Sequence, residues 1–132
     1  MSLQPVPAAL ESGAHVAFSR AFHVERLKGG MNRLLLRALP TKDNPTRIEV
    51  FFQYVQYFDA PMKFNQLEVR DVTPDQRLSP KYSKTLNAFP GLRLFRLDSD
   101  GECAGFVLAA GCMYGEDDAP GSGAPSMFFL ME

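Results

Sequence analysis

From Arg47 to Pro61 the chain reads Arg-Ile-Glu-Val-Phe-Phe-Gln-Tyr-Val-Gln-Tyr-Phe-Asp-Ala-Pro, its longest run with an unambiguous structural meaning. On a strand, alternate residues fall on opposite faces. Ile48, Val50, Phe52, Tyr54 and Phe58 then point one way, an almost wholly apolar set suited to a core. Glu49, Phe51, Gln53, Val55 and Tyr57 point the other way, mixing aromatics with a carboxylate and an amide as a half-covered face or contact surface does. Helical spacing would put aromatics all round the axis, and the β-branched residues sit where a strand favours them. Pro61 cannot donate to a ladder and marks the end. This run is read as the central strand.

The remaining pattern is also one of short strands. His15 to Leu27 alternates as one strand, or as two meeting near Arg20, and Met31 to Leu39 follows the turn Lys28-Gly29-Gly30 as its hairpin partner. Gln66 to Val72 alternates again and is expected to pair back on the central strand. A helix is plausible only between Thr73 and Gly91. Thr73-Pro74-Asp75 resembles a helix start, Pro80 limits that helix to about one and a half turns, and Tyr82, Leu86 and Phe89 suit a second short turn. Leu92 to Asp98 and Glu102 to Tyr114 are the arms of a hairpin, linked by Asp98-Ser99-Asp100-Gly101 as a type I turn with a G1 bulge. The second arm is apolar on both faces and reads as a covered central strand. Gly115 to Ser126 is a long loop, and Ser126 to Met131 a final apolar strand that needs a neighbour.

About seven strands with at most one short helix predict an all-β or β-rich domain, an antiparallel sandwich or a partly open barrel. Neither a repeat nor a boundary divides the 132 residues, so the expectation is one domain over 1–132. Charged residues are 22% and apolar ones 45% of the chain, a globular mix without the signature of disorder. The net charge of −1 supplies no field for nucleic acid or anionic lipid. No run approaches the ~18–20 apolar residues of a membrane helix, and the N-terminal stretch lacks the basic start and apolar core of a secretory signal. Cys103 and Cys112, read as members of one strand, would stand roughly 30 Å apart, well beyond disulfide reach. Two free, mostly buried thiols and a cytoplasmic location are therefore expected.

Candidate chemistry changes this picture little. A nucleophilic Cys112 needs a basic neighbour to lower its pKa, and the sequence puts neither His15 nor His23 beside it. The two histidines share a strand face but stand on the order of 20 Å or more apart, and neither Cys-x-x-Cys nor His-x-x-x-His spacing is present. Asp98, Asp100 and Glu102 form a truncated calcium-like series that a hairpin turn explains, and Glu116-Asp117-Asp118 reads as solvated loop carboxylates. Ser122 lacks the Gly-x-Ser-x-Gly elbow, and no glycine-rich loop links a strand to a helix to cradle phosphate. Arg20, Arg26, Arg33 and Arg37 with Phe18 and Phe22 resemble the basic aromatic face that single-stranded nucleic acid uses. The mixed charges elsewhere favour an ordinary solvated surface.

With no catalytic constellation, neither a cofactor nor a metal is expected. The leading reading is a non-catalytic binding or protein-interaction domain, self-association into a homodimer included, whose contact face is Phe51, Gln53, Val55 and Tyr57. The alternative is a small-molecule-binding β-barrel with weak enzymatic activity. Its pocket would be lined by the small residues of Cys103 to Cys112 and roofed by Pro74 to Pro90. Neither reading involves nucleic acid or membrane.

Overall fold

The alternating runs become strands in the computed structural model, which describes residues 8–28, 33–74 and 80–118. Strands β1 (Ala8–Ala9), β11 (Gly111–Asp117), β5 (Arg47–Gln53), β4 (Arg33–Ala38), β3 (Phe22–Lys28) and β7 (Lys63–Phe64) form one sheet in that order. A second sheet holds β2 (His15–Phe18), β8 (Leu67–Asp71), β9 (Arg93–Ser99), β10 (Glu102–Ala109) and β6 (Tyr57–Asp59). All pairings are antiparallel. The sheets stay open, so of the two expected architectures the sandwich holds and the barrel does not. Eleven strands are described where seven were expected: three predicted strands divide between the two sheets, the two-residue strands β1 and β7 are additional, and the predicted seventh lies outside the described residues. The turn at Gly29-Gly30, the stretch 75–79, and the predicted loop and final strand from 119 onward, Ser122 included, lie outside the described residues.

The apolar parity of β5 faces inward as its pattern requires. Leu34, Leu36 and Ala38 of β4 and Ile48, Val50 and Phe52 of β5 meet Leu67, Val69, Phe95, Leu97 and Val107 of the second sheet in one buried cluster. Phe52 and Phe95 close edge to face, with centroids 5.4 Å apart. Each such side chain stabilises the fold by about 1.5–3 kcal/mol through burial, and a one-residue slip would exchange Val50 and Phe52 for Glu49 and Phe51. That penalty fixes the register. The outer face of the second sheet is covered by helix α1 (Pro80–Ala88), whose Tyr82 and Leu86 pack with Leu94, Phe106 and Leu108. Pro80 opens this helix, since the first helical position needs no backbone N–H, and the short helix expected before it falls on 75–79, outside the described residues. Strand β8 pairs with β2 and β9, not with the central strand, whose two edges β4 and β11 already occupy.

Two long runs bend together from one sheet into the other. The register sets Gln53 opposite Gly111 before the bend and Tyr57 opposite Leu108 after it. Three residues, Tyr54 to Gln56, thus oppose two, Ala109 and Ala110. The extra residue makes a bulge, and Tyr54 adopts the left-handed region with φ 53°. Hydrogen bonds from Ala110 N–H to the Gln53 carbonyl (2.8 Å) and from Gln56 N–H to the Leu108 carbonyl (2.7 Å) carry the pairing around the corner. Arg47–Pro61 and Glu102–Tyr114 are therefore not single straight strands. A bulged corner lets each run contribute to both sheets of the sandwich.

The β9–β10 hairpin is tighter than its sequence suggests. Ser99 pairs with Glu102, leaving Asp100 and Gly101 as a two-residue loop with φ 55° and 80°. Two left-handed residues make a type I′ turn, whose twist matches the strands better than a type I turn would. The irregularity falls instead between Cys103 and Gly105. The chain there passes so near β6 that a Cβ on Gly105 would lie 2.0 Å from the Asp59 carbonyl oxygen.

Candidate functional site

The corner determines where the four predicted contact residues go. Phe51 and Gln53 lie on the outer face of the six-stranded sheet, where Phe51 is buried with Leu35 and Met113, and the Gln53 side-chain amide approaches the Met113 sulfur at 3.9 Å. Val55, displaced by the bulge, turns into the main core. Tyr57 sits on the second sheet and packs on Tyr82 of α1, centroids 5.4 Å apart. The expected common face is thus divided among three environments, because a bulge and a change of sheet interrupt the two-residue period. Phe51 and Gln53 remain neighbours; Val55 and Tyr57 part from them.

What the corner does build is a groove of about 330 Å³, lined by Gln56, Phe89, Pro90, Gly91, Leu92 and Ala110. Gln56 and Ala110 belong to the bend itself. The opposite wall is the turn that follows α1, held by hydrogen bonds from Phe89 N–H to the Thr85 carbonyl and from Leu92 N–H to the Phe89 carbonyl, each 3.0 Å. Phe89 keeps 58% of its surface exposed, and Tyr54, two residues before Gln56, keeps 50%. A concave, mainly apolar surface with one amide can seat an apolar group and orient it by a hydrogen bond. Phe89, Pro90 and Ala110 fall outside the predicted contact face but within the stretches expected to roof and line a small-molecule pocket, Pro74 to Pro90 and Cys103 to Cys112. Phe89-Pro90-Gly91 carries a usable signal, since an aromatic beside a Pro-Gly turn has few partners on its own element.

The outer face of the six-stranded sheet carries a second cluster, this one of charges. Arg37 lies directly across from Glu49 and donates to its Oε2 from Nε (3.1 Å) and Nη2 (2.8 Å). Arg47 lies across from Asp117 and makes a bidentate pair, Nε to Oδ1 at 3.0 Å and Nη2 to Oδ2 at 2.8 Å. Contacts of 3.8 Å between Arg47 and Glu49 and 3.3 Å between Arg37 and Glu25 join these pairs into a ladder, and His23 pairs with Glu25 at its end. Arg37, Arg47 and Glu49 each keep 2% of their surface exposed. Burial works to lower the pKa of the Arg47 guanidinium. Its hydrogen bond to Asp117 and the charges of Glu49 and Asp117 outweigh that and hold it above its ordinary value.

Of the arginines weighed as a basic aromatic face, those with described side chains form neither that face nor the ordinary solvated surface preferred to it. Arg33 and Arg37 are buried, Phe22 belongs to the core, and Arg20 donates to the carbonyls of Thr46 (2.6 Å) and Leu39 (3.0 Å). Asp117, expected in a solvated loop, is buried against Arg47 because β11 extends as far as that residue. Cys103 and Cys112 are both free but stand in different sheets, the first exposed and the second buried. Burial pushes the Cys112 thiol well above its ordinary pKa, the reverse of what a nucleophile needs. His15 and His23 also separate, since the run containing them breaks near Arg20 into β2 and β3 of opposite sheets. Asp98 accepts from Arg96 Nε at 2.7 Å, and Asp100 accepts from the Asn65 amide at 2.9 Å. Among the described residues no three His, Cys, Asp or Glu side chains are grouped to hold a metal, and no helix is long and apolar enough to cross a membrane. No protein-family model, curated protein or solved structure matches the chain.

Proposed function

We propose that this chain is a non-catalytic binding domain that takes an apolar side chain of a protein partner into the groove between the α1 exit and the bulged corner. The observation carrying this reading is the half-exposed Phe89 beside a groove of about 330 Å³ whose walls are Pro90, Leu92 and Ala110, with Gln56 as its polar group. Aromatic anchors at the centre of a contact dominate its energy, and the backbone that carries this ring is already held by the hydrogen bonds of the turn. A second copy of the chain is one such partner, which makes homodimerisation the first association to measure. Two free thiols, one of them buried, support a cytoplasmic setting.

Size-exclusion chromatography with light scattering, run over a wide concentration range, tests the self-association arm. Dimerisation through the groove is abolished by Phe89→Asp, while circular dichroism and thermal unfolding stay unchanged because the ring is exposed. If Phe89→Asp and Gln56→Ala leave every measurable association intact, the proposal is refuted. A second reading has one observation in its favour: the groove volume falls at the lower end of the range of small-ligand pockets. In that case a metabolite panel raises the melting temperature of the wild type and not of Phe89→Asp, and the chain remains a monomer throughout.

A further inference from the structure

We draw no further inference here: the strongest candidate beyond the groove, the ion-pair ladder of Glu25, Arg37, Glu49, Arg47 and Asp117 on the outer face of the six-stranded sheet, consists of charges matched one against another, and nothing in the structure points to a ligand that it would take.

Discussion

Replacing Glu49 with leucine separates the two things its carboxylate does. It takes two hydrogen bonds from Arg37, and it lies 3.8 Å from Arg47. Both guanidinium groups are buried, so the substitution leaves Arg37 with Glu25 at 3.3 Å and Arg47 with Asp117 as their remaining anions. Breaking a buried pair costs about 3–5 kcal/mol, chiefly because one charge stays behind in a medium that solvates it poorly. Since each arginine keeps one carboxylate, the lower end applies, about 3 kcal/mol. Such a loss lowers the melting temperature of a domain of this size by roughly 10 °C. The double variant Arg37→Met/Glu49→Leu removes the stranded charge, frees the more exposed Glu25 to water, and should recover most of the loss. Urea unfolding followed by circular dichroism, with wild type and both single variants completing the cycle, measures this directly. A double variant no more stable than Glu49→Leu would refute the attribution to a stranded buried charge. A single-variant loss below about 1 kcal/mol would show that the ladder behaves as a surface ion pair.

Four further outcomes concern the glycines and the thiols. Gly105→Ala sets a methyl group 2.0 Å from the Asp59 carbonyl oxygen and 2.6 Å from the Ala60 Cβ, so β6 must move. A loss of several kcal/mol is expected in the same urea assay, and a change under about 1 kcal/mol would mean that the two strands are not in this contact. Gly101→Ala strains the second left-handed residue of the type I′ turn and costs about 1 kcal/mol, whereas Asp100→Asn keeps the turn and is nearly neutral. A thiol-reactive dye labels Cys103 rapidly in the native protein and reaches Cys112 only on unfolding. Because the folded Cys112 thiol titrates above its unfolded value of about 8.5, its contribution is complete below that pH and declines as the pH rises beyond it. Cys112→Ala should flatten that alkaline decline, and an unchanged slope would count against the assignment.

The periodic parts of the fold were legible because burial acts on every second residue. The inward set Ile48, Val50 and Phe52 appears as its pattern requires, and the hairpin expected from Leu92 to Asp98 and Glu102 to Tyr114 forms, though with a shorter turn and with its second arm leaving the sheet after Ala109. The corner was not legible. In sequence, Gln-Tyr-Val-Gln-Tyr interrupts the alternation only by setting Gln56 on the apolar parity and Val55 on the mixed one, and nothing local marks Tyr54 as left-handed. Its conformation comes from opposing three residues to two across strands more than fifty positions apart, a tertiary constraint that no window of the chain contains. The same cause dispersed the predicted contact face, whereas the groove draws Ala110 and Phe89-Pro90 from the two stretches, Cys103 to Cys112 and Pro74 to Pro90, that the small-molecule reading set against each other. The charged ladder was hidden differently. Arg37, Arg47, Glu49 and Asp117 look solvated when read singly, and only the register that sets them opposite one another makes their burial tolerable.

The bent ribbon also has a kinetic meaning. Its hydrogen bonds join Arg47 to Asp117 and Tyr57 to Leu108, so the pairing that ties the two sheets together closes chain loops of fifty to seventy residues. Such loops must lose their entropy before the contacts that stabilise them exist, which places this chain among the slower-folding β domains. Neither sheet can mature alone, because its strands at the corner continue into the other. Hydrogen exchange should accordingly find Phe52 and Val107, in different sheets, opening together in one global event.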